Sequence, residues 1–130
     1  MSQPATCPCG STKAFAQCCE PRLNQTSPAT TAEQLMRSRY TAYVMNNEDY
    51  LLATWHESTR PTYLDLNAEP VKWLGLKIVS SRAGQQDDPQ GEVEFIARYK
   101  INGKAHRLHE ISRFRKESGK WFYVDGEMLG

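Results

Sequence analysis

An α+β fold, with two or three helices ahead of a four-stranded antiparallel meander, is what this sequence predicts. Three observations carry the expectation. Apolar residues recur at helical spacing only between residue 31 and about residue 56. From Val71 onward the hydrophobic period becomes two, and turn residues divide that half into four runs. Helices segregated in this way from strands cover one face of a curved sheet.

Each element has its own signal. Thr31 followed by Gln34 fits a capping box, in which the first hydroxyl accepts from the backbone of the third residue on. From 33 to about 45, Met36, Tyr40, Tyr43 and Val44 recur on one helical face. Asn46 and Asn47 break that run, and Glu48 and Asp49 suit the first turn of a second helix, where the dipole favours acids. Leu51, Leu52, Trp55 and His56 then mark a face of this short helix. Pro61 and Pro70 bracket an irregular stretch with room for one more turn.

Residues 71–82 read as the first strand, with Leu74, Leu76 and Ile78 on one face. A loop follows over 85–91. Residues 92–101 alternate sharply: Val93, Phe95, Ala97 and Tyr99 oppose Glu92, Glu94, Arg98 and Lys100, the pattern of a half-buried antiparallel strand. Asn102-Gly103 is a strong hairpin signal. The next strand covers 105–115, a turn covers 117–120, and a last strand covers 121–125.

Composition narrows the function classes. The chain has 130 residues and a net charge of +1, without the basic excess that marks a nucleic-acid binder. Apolar residues make up 39%, enough for one core, and no apolar run approaches the roughly 18 residues of a membrane span. The opening residues offer neither a basic nor an apolar targeting region, so the expected setting is cytoplasmic.

The chain also divides. All four cysteines, Cys7, Cys9, Cys18 and Cys19, lie in the first 19 residues. Residues 1–20 form a cysteine knuckle, 21–30 have the Pro-rich, small-polar composition of a linker, and 31–130 form the main domain. A linker of this kind predicts that loss of the knuckle leaves the domain's melting nearly unchanged.

The cysteine pattern is a pair one residue apart, eight intervening residues, and an adjacent pair. Four thiolates satisfy tetrahedral zinc at about 2.3 Å per bond. Pro8 stiffens the first pair, Gly10 and Ser11 turn the chain, and 13–17 can return Cys18 and Cys19. So short a segment has no core of its own, so metal binding would supply its folding free energy. The other readings are free thiols, two disulfides, a redox pair or a four-sulfur iron–sulfur centre. A disulfide between adjacent cysteines is strained, and a reducing compartment disfavours other disulfides, whereas the same ligand set could serve the iron–sulfur centre. With four ligands filled, no position is open for catalysis.

Cys7-Pro8-Cys9-Gly10-Ser11 with Phe15-Ala16-Gln17-Cys18-Cys19 resembles the SEC-C motif, the zinc module at the C-terminus of the SecA translocation ATPase. In that module the last ligand is His or Cys, here Cys19. The chain departs from it at Thr12, where the translocase has Gly, and in having only Lys13 as a nearby base. The resemblance implies zinc as cofactor and contact with a protein or ribosomal partner. Leu35-Met36-Arg37-Ser38-Arg39-Tyr40-Thr41-Ala42-Tyr43, Tyr50-Leu51-Leu52-Ala53-Thr54-Trp55-His56, Ser58-Thr59-Arg60-Pro61 and Trp121-Phe122-Tyr123-Val124-Asp125-Gly126 are similar to the YchJ-like family. That resemblance covers essentially the whole chain. It implies a nuclear-transport-factor-2-like (NTF2-like, cystatin-like) domain: a curved sheet around helices, leaving a conical pocket, and no assigned activity.

The expected pocket is bounded by Arg37, Tyr40, Trp55, His56, Glu110 and Tyr123. On the strand 105–115, Leu108 and Phe114 mark the apolar face and place Glu110 inward. A buried carboxylate needs a partner, and Arg37 or Arg39 can supply a bidentate pair. On the last strand Trp121, Tyr123 and Asp125 share a face. His56 is read as a helix-end histidine packed on Trp55 and bonded to backbone, in a cavity largely filled by aromatic rings. Three functions remain. One is a zinc-binding adaptor joining the knuckle, for a macromolecular partner, to a pocketed domain. The alternative is a small isomerase- or hydrolase-type enzyme using His56 and a carboxylate. The third is nucleic-acid or ribosome association, resting on Arg107, His109, Arg113 and Arg115; a solvated face explains these equally well. No phosphate loop, nucleophile elbow or dinucleotide fingerprint favours the second.

Overall fold

The computed structural model describes residues 6–64, 66 and 71–129. Three helices, α1 (Glu20–Leu23), α2 (Ala32–Val44) and α3 (Glu48–Ala53), precede four strands, β1 (Val71–Ala83), β2 (Gln90–Ile101), β3 (Lys104–Glu117) and β4 (Lys120–Met128). The strands form one antiparallel sheet in the order β1-β2-β3-β4. The expected turn between Pro61 and Pro70 lies partly outside the described residues.

The α2 start is a capping box with a longer return arm. Thr31 Oγ1 accepts from the Gln34 amide at 3.1 Å, while Gln34 Oε1 accepts from the Thr30 amide at 2.9 Å. Asn47 caps α3 by accepting from the Tyr50 amide at 3.1 Å. That helix ends at Ala53, so Trp55 and His56 are not on its face. They continue as a strand-like bridge along β4: the His56 amide donates to the Tyr123 carbonyl at 2.7 Å, and the Tyr123 amide donates to Thr54 at 2.8 Å. The outer edge of β4 is thereby bridged at Tyr123.

Both tight turns of the meander use left-handed pairs, Asn102-Gly103 and Ser118-Gly119, with φ of 52° and 78° in each. Such turns match the twist of the flanking strands. Bulges shift two side-chain phases. In β1 the register skips Leu74, so Trp73, Leu76 and Ile78 face the core while Leu74 is exposed, against the expected Leu74–Leu76–Ile78 face. In β4 the register skips Val124, so Asp125 leaves the Trp121–Tyr123 face and pairs on the outer surface with Arg113 at 2.6 Å.

One core serves both parts of the chain. Leu35, Met36 and Tyr40 of α2 pack with Val93, Phe95, Phe114 and Trp121 of the sheet, and Cys7, Cys9 and Cys19 belong to the same cluster. The segment expected as a linker is folded onto this core. α1 occupies its start, Ala29 is buried, and Trp121 Nε1 donates to the Thr30 carbonyl at 3.1 Å. α2 is therefore buried on most sides, which accounts for its buried Ser38, Arg39 and Thr41. Among the described residues, no helix is long and apolar enough to cross a membrane.

Candidate metal centre and cavity

The knuckle is a hairpin-like turn followed by a short helical return. The Cys7 amide donates to the Lys13 carbonyl at 2.8 Å, Gly10 takes φ of 81°, and a 3₁₀ turn at Phe15–Gln17 brings back Cys18 and Cys19. Gly10 is also a point of close approach: a Cβ there would stand 2.9 Å from the Leu76 carbonyl of β1. Gly10→Ala therefore combines left-handed strain with a backbone clash. We expect it to destabilise the chain by about 1–3 kcal/mol, read from its urea midpoint. An unchanged midpoint would mean the knuckle does not seat on β1.

The sulfur atoms of Cys7, Cys9, Cys18 and Cys19 all lie within 4.8 Å of one another, and all four cysteines are free. Cys9 and Cys18 are 3.6 Å apart and Cys18 and Cys19 4.0 Å. Tetrahedral coordination at about 2.3 Å per bond sets sulfur–sulfur edges near ~3.8 Å, so the thiols fit one metal ion. Three groups outside the motif's cysteines surround them. Ser11 Oγ is 3.0 Å from Cys18 Sγ, Thr41 Oγ1 donates to Cys19 Sγ at 3.3 Å, and Arg37 Nη1 donates to the Cys9 carbonyl at 2.7 Å. Outer donors of this kind orient thiolates and offset their charge.

The electrostatics are those of thiols competing for one negative charge. Cys9 is drawn down to about 4, first by the hydrogen bond from Cys19 and also by Ser11, against the opposing effect of burial. Cys19 is pushed up, first by its bond to Cys9 and then by burial, and Cys18 is pushed up by burial first. One thiolate forms readily and raises the cost of the next. A cation among them removes that penalty.

A separate cavity of about 260 Å³ lies between α2 and the concave sheet face. Tyr40, Glu110 and Tyr123 line it together with Arg39, Tyr43 and Trp73. Arg37, Trp55 and His56 do not. Arg37 is held at the knuckle by Cys9 and, at 3.1 Å, by Glu33. His56 is buried, with Nδ1 2.7 Å from Ser58 Oγ and Nε2 2.8 Å from the Glu117 carboxylate. Its nitrogens thus meet side chains rather than only backbone, and its ring lies edge-on to Phe122, not Trp55. The cavity, moreover, is open rather than filled by aromatic rings.

Glu110 faces inward, yet no arginine pairs with it. Ser112 Oγ donates to its Oε2 at 2.6 Å. Arg39 instead donates through Nη1 to the Leu51 carbonyl and to Thr54 Oγ1, both at 2.7 Å, and sits over the rings of Tyr123 and Trp55 at 4.6 and 5.1 Å. Desolvation lowers the Arg39 pKa from its ordinary value. Sequence reasoning missed Ser11 and Thr41 at the knuckle. Arg37 and Thr41, one helical turn apart, were a legible polar pair on α2. Tyr43 and Trp73 line the cavity outside the expected set.

Comparison with known proteins agrees with this architecture. Residues 4–21 match the SEC-C motif, and residues 31–126 match the YchJ middle NTF2-like domain. A UPF0225 protein of Chromobacterium violaceum is 54% identical over 125 residues, covering 94% of this chain and 92% of that protein. A UPF0225 protein of Bordetella parapertussis is 52% identical over 130 residues, covering 98% and 96%. The solution structure of a SEC-C motif containing protein from Rhodopseudomonas palustris superposes with a TM-score of 0.84 at 35% identity, covering 97% of this chain and all of that one. A crystal structure of a SEC-C motif containing protein from Psychrobacter arcticus gives 0.75 at 26% identity, covering 96% and 83%. With its cysteine knuckle docked on an NTF2-like α+β domain, the chain belongs to the UPF0225 family of YchJ-like proteins.

Proposed function

We propose that the chain is a zinc-binding adaptor, in which a structural Zn²⁺ braces the knuckle and the main domain offers a cavity for a small molecule. The observation that carries this reading is the convergence of four thiols within 4.8 Å. Four protein ligands leave no open coordination position, which suits a structural rather than a catalytic ion. An iron–sulfur cluster would place bridged irons between its thiolates and hold them farther apart. Four unoxidised thiols also suit the reducing cytoplasm. The knuckle leaves Pro8, Thr12, Lys13 and Gln17 exposed, and a protein or ribosomal partner would dock on that surface. The location of His56 outside the cavity favours binding over acid–base catalysis there, since no imidazole lines it among the described residues.

Freshly reduced protein should contain one zinc per chain by elemental analysis, and Cys9→Ser should contain none. Iron, or no metal, in the wild type would overturn the metal assignment. Copurification of the same partners by wild type and Cys9→Ser would overturn the adaptor role.

A further inference from the structure

The cavity's chemistry is unevenly distributed. Its floor on β3 carries the Glu110 carboxylate, whose one side-chain partner among the described residues is Ser112 at 2.6 Å. A carboxylate accepts about four hydrogen bonds, so most of that capacity is open. Its walls are aromatic: Tyr40 and Tyr43 of α2, Trp73 of β1 and Tyr123 of β4. Tyr40 and Tyr43 both pack on Trp73, with ring centroids 5.7 and 5.9 Å apart.

Among the described residues the cavity is lined by one guanidinium, and its Nη1 is anchored elsewhere. Arg39 donates to Leu51 and Thr54 and covers two rings, and its side chain is almost fully buried. It therefore stabilises the wall without forming an ion pair with Glu110. Tyr123, with its phenol pushed up to about 12 by burial first and by Glu110 second, stays protonated and presents a neutral ring. A carboxylate between aromatic faces attracts a cation twice, by charge and by the ring quadrupoles. The volume of about 260 Å³ lies below the range of drug-sized ligands, which selects a small body.

We propose that this cavity binds a small organic cation, an amine on an aromatic or apolar body, with its ammonium at Glu110 and its body among the rings of Tyr40, Tyr43 and Trp73. The proposal rests on the reading of the cavity as a small-molecule site. Glu110 supplies the charge selectivity and the rings supply the fit. An anion of the same shape would meet the Glu110 carboxylate, while Nη1 of Arg39 is held by Leu51 and Thr54.

The test uses three probes of one shape, phenethylamine, 2-phenylethanol and phenylacetate, titrated into the full ¹⁵N-labelled chain and followed by amide shifts. Phenethylamine should move the amides of Tyr43, Glu110 and Tyr123, and should bind at least tenfold more tightly than either other probe. Glu110→Gln, which keeps shape and removes charge, should weaken the amine about tenfold. Tyr43→Leu should weaken it several-fold while Tyr43→Phe leaves it unchanged, which keeps the test decisive should Glu110→Gln fold poorly. Equal affinity for amine and alcohol, or an unchanged affinity in Glu110→Gln, overturns the proposal. Preference for phenylacetate overturns it while retaining the cavity as a binding site. Shifts at none of the lining amides with any probe would overturn both.

Discussion

Cys19→Ser should lower the melting temperature of the whole chain in a single transition. The reason lies in where the sulfur is. Cys19 is buried, accepts from Thr41 Oγ1 on α2, and shares one cluster with Leu35, Val93, Phe114 and Trp121. Loss of one ligand opens the metal site, and the binding free energy of a structural metal is folding free energy. A deficit of about 3–5 kcal/mol is expected, since the released knuckle also uncovers apolar surface on α2 and β1. For a domain of this size that corresponds to roughly 10–15 °C. Calorimetry of wild type, Cys19→Ser and chelator-treated wild type should give one shifted transition in both perturbed samples. Two separate transitions, or a midpoint close to wild type, would return the knuckle to the independent module that its linker-like sequence predicts.

Arg39→Ala should cost a comparable amount by a different route. Arg39 is 4% exposed, and its Nη1 serves the Leu51 carbonyl and Thr54 Oγ1 at the end of α3. Its removal leaves that carbonyl without its charged donor and uncovers the rings of Trp55 and Tyr123, which meet edge-on at 5.0 Å. Two lost charge-assisted bonds at about 1.5–3 kcal/mol each and the lost cation–π contact, offset in part by relief of a buried charge, give about 3–5 kcal/mol. Arg39→Lys should recover little, because one ammonium cannot donate to both acceptors and stack flat on two rings. Denaturant midpoints decide the matter. A loss under about 1 kcal/mol in Arg39→Ala would show that the burial of its charge offsets those contacts.

The two arginines of α2 also show where sequence reasoning stopped. Periodicity located the helix through Met36, Tyr40 and Tyr43 because those residues face the sheet. It was silent on Ser38, Arg39 and Thr41, which are buried by α3 and the knuckle. A helix covered from several directions has no polar face to read. Glu110 was placed inward by its neighbours Leu108 and Phe114, but its partner was not legible, because Arg37 and Arg39 are both near enough along the chain to be candidates. Only the docked knuckle assigns Arg37 to Cys9. The strands were legible where alternation was strict, as in β2, and misphased where one inserted residue reversed it, at Leu74 and Val124. The four cysteines were legible outright, since no packing pattern competes with their spacing. The Ser11 hydroxyl carries no comparable signature, and Thr41 is marked only by its spacing from Arg37.

The two bulges of β1 bear on self-association. β4 is bridged on its outer side at Tyr123, and β1 is the other margin of the sheet. It is 13 residues long and exposes Leu74 and Val79, the features that let one molecule template another. Both apolar residues sit where the register skips, so no long straight run of backbone donors and acceptors is on offer. Between them, Gly10 lies against the Leu76 carbonyl, so the knuckle stands over the stretch that separates the two skips. The docked knuckle thus acts as a guard on a sticky border. A chain whose knuckle came loose would clump along this margin before it lost whatever it binds.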